Sequence, residues 1–149
     1  MESYSQPIQI RWSDIDANNH LRHSAFYDYG AWLRVMFLTE KGIDMKWMHD
    51  NHIGPILFRE EAIFKREIRF GDKVTIDVET VKATKDYSRW SLRHTFIKED
   101  GTIAAILNLD GAWLNTSERK IATPSEQLIK VFDSFPKAKD FEWIIKPSK

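Results

Sequence analysis

The sequence predicts an α+β domain in which a curved antiparallel sheet of about five to six strands wraps around one long central helix, with a short helix near the C-terminus. Three observations carry this. An early run from about Ser24 to Glu40 has helical periodicity and is apolar around most of its circumference. Beyond it the chain alternates with period two in successive segments joined by short connections, the pattern of an antiparallel sheet. A helix apolar on so many sides needs a surface to cover it, and a sheet that curves around it supplies one.

Taken in order, Ile8, Ile10 and Trp12 alternate as a first short strand. In the helix, Phe26, Gly30, Leu33 and Phe37 fall at helical spacing, and Tyr27, Ala31, Trp32, Val35, Met36 and Leu38 fill much of the remaining surface, which predicts a largely buried helix. Ile56, Phe58, Ala62, Phe64, Ile68 and Phe70 share one parity over a longer second strand, interrupted by Glu60 and Arg66. Val74, Ile76 and Val78 mark a third strand and Trp90, Leu92, His94 and Phe96 a fourth. Ile103, Ala105, Leu107 and Leu109 mark a fifth that continues past Gly111 to Leu114, entered through the tight turn Asp100-Gly101. Thr123-Pro124-Ser125-Glu126 reads as a helix start with Thr123 as cap, and Leu128, Val131, Phe132 and Phe135 give an apolar stripe that packs on the outside. The lysine-rich, aromatic tail from Pro136 is open between an extra strand, a lid and a partner contact.

Length and composition agree with one domain over 1–149. The chain has 149 residues, 42% hydrophobic and 13% aromatic, enough for a substantial core without a second domain. Lysine plus arginine and aspartate plus glutamate each total 22, so there is no net charge and no expectation of a nucleic-acid partner. The absence of cysteine excludes disulfides, thiolate nucleophiles and cysteine-ligated metals, and favours a reducing compartment. Neither a signal peptide nor a membrane-spanning run is legible, so the expectation is a cytoplasmic protein with no membrane insertion.

The densest chemistry lies in RWSDIDANNHLRHSAFYDYGAWLR, from Arg11 to Arg34. Two carboxylates and two histidines arrive just ahead of the helix, whose first N–H groups lack partners within the helix and favour an oxyanion or a polarised carbonyl oxygen. Asp16, seven residues before His23, is placed to reach a substrate held against those groups. In an arbitrary fold Asp16 would be a turn-capping carboxylate and His23 a polar residue at a helix entry. His49, His52 and His94 have no metal-ligand spacing, and no metal site is expected.

The pattern D-x-D-x-x-x-H-[LV]-x-x-x-x-[FY] followed by an apolar helix resembles the hotdog-fold thioesterases, in particular the 4-hydroxybenzoyl-CoA thioesterase and YbgC-like acyl-CoA thioesterase group. Here it is carried by Asp14, Asp16, His20, Leu21 and Phe26 or Tyr27. Phe70-Gly71-Asp72-Lys73-Val74 resembles the family's G-D-x-[VL] turn, so the likeness covers about 8–116 and leaves 123–149 as a C-terminal helix and tail. Asn19 stands where the family commonly has glycine, Arg22-His23 where many members have two asparagines, and Trp12 where a phenol is common.

The resemblance implies that Asp16 is the catalytic carboxylate, with His23 as its companion and Asp14 structural. It implies hydrolysis of an acyl-CoA or acyl carrier protein thioester, with Asp16 as nucleophile or general base and the helix start polarising the carbonyl. Asn19, His20, Ser24, Tyr27 and Glu60 are the expected substrate-binding residues, although His20 also reads as a turn residue, Tyr27 as core or interface, and Glu60 as a partner of Arg59 or Arg66. No cofactor is expected beyond the coenzyme A of the substrate, whose phosphates would meet Arg89, Arg93 or Lys85. A homodimer or homotetramer is expected, its subunits pairing sheets edge to edge. The alternatives are a hotdog protein that binds acyl-CoA without catalysis and a hotdog-fold dehydratase.

Overall fold

The computed structural model of the protein describes residues 3–145. Its elements are β1 (Ser5–Pro7), α1 (His23–Glu40), α2 (Met45–Asp50), β2 (Ile53–Phe64), β3 (Val74–Asp77), β4 (Glu79–Ala83), β5 (Arg89–Lys98), β6 (Ile103–Asn115), β7 (Lys120–Ile121), α3 (Glu126–Asp133) and β8 (Lys137–Trp143). All eight strands join one sheet. β2 pairs with β6 and β6 with β5, while β5 pairs with both β3 and β4, every one of these pairings antiparallel. The far edge is finished twice, by β1 against β3 and by β8 lying parallel to β4.

Strict alternation makes β5 and β6 the backbone of the sheet. Trp90, Leu92, His94 and Phe96 all point inward and are buried, and Leu107 and Leu109 face them from β6. Gly101, at φ +89°, sits in the connection, where Asp100 Oδ1 accepts from Thr102 N at 2.9 Å. Helix α1 crosses this surface at very short range. A Cβ on Gly30 would lie 2.5 Å from Leu107 Cδ2 and 3.2 Å from His94 Cδ2, so only glycine lets the helix backbone come this close. Gly42, at φ +90°, ends the helix in the left-handed conformation, and Ile43 N closes back onto Leu38 O at 2.8 Å. This is the hotdog arrangement, a long helix wrapped by a curved sheet.

Several boundaries differ from the sequence reading. The first strand is Ser5–Pro7, and Trp12 instead opens a 3-10 turn, Trp12–Asp14, with its indole 76% exposed. The turn forms because Asp14, buried, draws Arg11 and Arg22 onto its carboxylate. Strand β2 ends at Phe64, and a bulge between Leu57 and Arg59 interrupts its alternation at Phe58; Phe58 and Phe64 are each about half exposed. The third strand is interrupted at Val78 and continues as β4. Helix α1 buries Ala25, Phe26, Gly30, Leu33, Phe37 and Leu38, but Trp32 and Val35 are exposed, so it is covered on one side rather than all round.

The C-terminal helix also starts later and packs deeper than its sequence suggests. Thr123 gives its hydroxyl to Asp86 Oδ2 at 3.0 Å, so Ser125 becomes the cap, accepting from Leu128 N. Leu128, Phe132 and Phe135 are buried, and Phe135 stacks on Phe37 with ring centroids 3.9 Å apart. α3 is therefore a plug in the core beside α1. The tail forms β8; residues 146–149 lie outside the described part of the chain.

Candidate active site

Asp16 to Leu21 form a tight turn fastened at its neck by the pairing of Ile15 with Leu21. Asp16 N donates to His20 O at 2.9 Å, and Asp16 Oδ1 accepts from Asn18 N at 2.9 Å and His20 N at 3.1 Å. Asn19 takes the left-handed conformation, φ +63°, which asparagine tolerates well and which stands where the family commonly has glycine. Asp16 thus has one oxygen fixed by backbone amides, while Oδ2 has no hydrogen-bond partner among the described residues. The carboxylate is exposed and oriented by its own turn.

Leu21 N donates to Ile68 O at 2.7 Å, which ties the turn to the loop after β2 and sets the entry angle of α1. The helix begins at His23. Its N-cap, Arg22, supplies no side-chain acceptor to the first amides; its guanidinium instead donates to Ser24 Oγ and reaches Asp14 Oδ1 at 3.3 Å. The result is a cleft of about 350 Å³ into which Asp16, His20 and His23 all open, with Phe26, Phe64 and Arg66 on its other walls. Phe26 and Phe64 meet edge to face at 5.1 Å, an apolar wall beside the polar turn.

Asp14 plays a different part. Its carboxylate is held by Arg11 at 3.0 and 3.1 Å and by the Tyr29 hydroxyl at 2.9 Å, and its own carbonyl accepts from Arg22 N at 2.8 Å. The Arg11 hydrogen bonds hold its carboxyl below the usual carboxylate range, and burial pushes the Tyr29 phenol up to about 12. Asp14 clamps the strand leading into the turn against α1.

Of the other residues expected at the site, Asn19 is in the Asp16 turn and Ser24 is in the first turn of α1, engaged by Arg22. Tyr27 packs against the core, and Glu60 faces Arg34 across a 3.8 Å ion pair instead of Arg59 or Arg66; neither lines the cleft. Arg34 Nη1 donates to His94 Nε2 at 2.9 Å, and His94 Nδ1–H donates to Asp77 O at 2.8 Å, which selects one tautomer of a fully buried ring. Burial, reinforced by Arg34, pushes the His94 imidazole down to about 3, so this ring stays neutral. The three basic residues expected to meet phosphates are engaged elsewhere: Arg93 with Asp140 and Glu79, Lys85 over the Trp143 ring, Arg89 over the Phe58 ring. The basic side chains at the cleft are Lys65 and Arg66, brought there by the loop after β2. Their only trace in the sequence is a pair of cations directly after an apolar strand.

A hotdog fold with a turn-borne carboxylate at the start of its central helix defines the class of protein. Residues 10–132 match the model of the thioesterase-like superfamily, and the chain belongs to that family. A comparison with curated proteins finds no match. Among solved structures the chain is similar to a hypothetical protein of Staphylococcus aureus in complex with CoA, with TM-score 0.83, 20% identity, and 98% of this chain and 90% of that one covered. It is also similar to a 1,4-dihydroxy-2-naphthoyl-CoA thioesterase from Synechocystis, with TM-score 0.79, 13% identity, and 89% and 96% covered. The DHNA-CoA thioesterase of Staphylococcus aureus gives TM-score 0.78 at 14% identity, with 89% and 90% covered. At these identities the likeness is one of fold.

Proposed function

We propose that the protein hydrolyses an acyl-CoA thioester in the cleft at the start of α1, with Asp16 as the catalytic carboxylate. The observation that carries this reading is the asymmetric fixing of Asp16, one oxygen anchored by two amides and the other unengaged on the cleft that the helix start also lines. The thioester carbonyl oxygen is received by the first N–H groups of α1, where partial positive charge stabilises a developing oxyanion. Asp16 Oδ2 either attacks the carbonyl carbon, giving a mixed anhydride that water then opens, or takes a proton from the attacking water. Expulsion of the thiolate is undemanding, because a thiol pKa near ~8.5 requires little help from an acid. His23 and His20 bind the water or the departing sulfur.

Family membership and the CoA bound to one structural relative support coenzyme A as the carrier, and Lys65 and Arg66 are the residues suited to its phosphates. An edge-to-edge homodimer is supported by β2, whose outer edge has no strand beside it among the described residues and whose Leu57, Phe58, Ile63 and Phe64 are exposed. No described helix is long and apolar enough to cross a membrane, and the lack of cysteine supports residence in the cytoplasm.

The test is thiol release from short, medium, long and aromatic acyl-CoA esters by the wild type and Asp16→Asn. Turnover that falls by about 10²-fold or more in a folded variant is the expected outcome, the scale of a lost acid–base group. The same capping bonds favour one second reading, an acyl-CoA binder in which Asp16 serves only its turn. That reading predicts saturable acyl-CoA binding with no hydrolysis by either protein.

A further inference from the structure

Among the described residues the most exposed aromatic side chain is Trp12, with 76% of its surface open to water. Its ring meets that of Phe70, itself about half exposed, edge to face at 6.0 Å. Neither ring is loosely held. The 3-10 turn that carries Trp12 is closed by Asp14 N donating to Arg11 O at 2.9 Å and is anchored by the buried Asp14 carboxylate. The loop that carries Phe70 is pinned by Leu21 N on Ile68 O, by Arg69 N donating to Asp72 Oδ2 at 2.9 Å, and by Gly71 in the left-handed conformation, φ +95°. An edge-to-face contact uses one face of one ring, so flat aromatic surface stays in water, forgoing the gain of burial. A rigid, exposed aromatic face is what a planar base stacks on.

The pair adjoins the Asp16 cleft through both of its segments. Trp12 is four residues ahead of Asp16, a reach of at most about 14 Å, and Phe70 is two residues past Ile68, which lines the cleft. Ile15, whose N–H donates to Trp12 O at 3.2 Å, pairs with Leu21 of the same cleft wall. Lys65, Arg66 and Glu67 on that wall are exposed, and so is Arg69, so the way from cleft to rings runs over open surface rather than through the core. This surface is basic: in a chain with no net charge, residues 65–73 hold four cations and two carboxylates. Arg69 takes up Glu67 at 3.4 Å and Lys98 takes up Asp72 at 3.2 Å, while Lys65 and Arg66 have no carboxylate within ion-pairing distance among the described residues. Open aromatic rings beside unpaired cations complement a planar base joined to phosphates. They do not suffice for a protein partner, which needs about 800 Å² on each side.

We propose that the Trp12–Phe70 pair stacks the adenine ring of coenzyme A, with Lys65 and Arg66 on its phosphates, so that this surface holds the nucleotide end of a substrate whose thioester lies at Asp16. About sixteen bonds separate the sulfur of coenzyme A from its ribose, roughly 20 Å when extended at ~1.25 Å per bond, so a partly folded coenzyme covers the distance. The proposal rests on the thioesterase reading and commits its carrier to coenzyme A, since an acyl carrier protein brings the pantetheine arm without adenine.

The experiment measures calorimetric binding of adenosine 3′,5′-bisphosphate, a fragment of coenzyme A, to the wild type, Trp12→Ala, Phe70→Ala and Trp12→Phe. In parallel, the acyl group turned over best in the thiol-release panel is offered to each protein as its coenzyme A ester and as its pantetheine ester. Trp12→Ala is expected to weaken bisphosphate binding about tenfold, within the range a base gains by stacking on one ring, and to raise KM for the coenzyme A ester by a similar factor with kcat unchanged. Its turnover of the pantetheine ester should match that of the wild type. Trp12→Phe keeps a ring and should keep most of the binding, which separates stacking from damage to the turn. A wild type that does not bind the bisphosphate, or that binds it no better than Trp12→Ala and Phe70→Ala do, overturns the proposal. Equal KM values for the two esters in every protein also overturn it and leave the thioesterase reading standing. A smaller mass for Trp12→Ala in light scattering, with bisphosphate binding intact, overturns it in favour of a contact between copies of the chain. Bisphosphate binding that depends on Trp12, with no hydrolysis of any ester, upholds the stacking site and removes the thioesterase reading instead.

Discussion

Asp14 and Asp16 stand two residues apart and meet opposite environments. Asp14 is buried among Arg11, Arg22 and Tyr29, whereas Asp16 is exposed and fixed by backbone amides alone. Asp14→Asn should therefore cost stability, about 1–3 kcal/mol at pH 7, the range for disturbing a buried hydrogen-bonded group. Its folded pKa is depressed, chiefly by the Arg11 hydrogen bonds, so its contribution is present above the unfolded value of about 3.9 and is lost as pH falls through the folded one. Urea unfolding should show a gap between wild type and variant at pH 7 that starts to narrow as pH falls below about 4 and goes on narrowing toward the lower folded pKa; a gap that does not narrow at all below pH 4 would mean the carboxylate charge is not its source. At this scale the sequence was informative where contacts are local. Asp16, His20 and His23 meet because a six-residue turn and a helix start leave them little choice, while Arg66 reaches the same cleft from a loop more than forty positions away, and nothing in its own neighbourhood announces that.

At the scale of elements, Gly30 sets how deeply α1 seats in the sheet. Gly30→Ala adds helix propensity worth about 1 kcal/mol, yet its methyl group meets the fully buried Leu107 at 2.5 Å and crowds His94. Overpacking of this kind costs about 1–3 kcal/mol, so the variant should melt lower than wild type in a thermal scan, and an unchanged or raised Tm would show that Leu107 yields freely. Strands β5 and β6 were legible because their alternation holds over Trp90–Phe96 and Ala105–Gly111, and α1 because its buried residues recur at helical spacing from Phe26 to Phe37. β2 was misread because it stops at Phe64 rather than running on to Phe70 and because a bulge interrupts its alternation at Phe58, and the start of α3 because Thr123 spends its hydroxyl on Asp86 rather than on the helix. Neither event has a local signature: each is decided by a partner strand or side chain far along the chain.

For the whole molecule, the two ends of the sheet differ in character. One is β2, twelve residues long with apolar side chains exposed; the other is shared by β1, three residues ending in Pro7, and β8, which carries Lys137 and Lys139. Proline, lysine and brevity discourage strand addition, so the proposed pairing through β2 would close at two copies. Light scattering should give a dimer for the wild type and a smaller mass for Ile63→Lys; a dimer that survives this change would place the contact elsewhere. The C-terminal elements carry a different consequence. Because α3 and the residues just after it supply Phe132 and Phe135 to the core, and β8 follows them in the chain, a chain emerging from the ribosome holds α1 against a sheet whose plug has not yet been made. Phe37 then has no ring stacked on it until Phe135 has been made, so a chain stopped after β6 should leave that apolar surface open and be prone to aggregate.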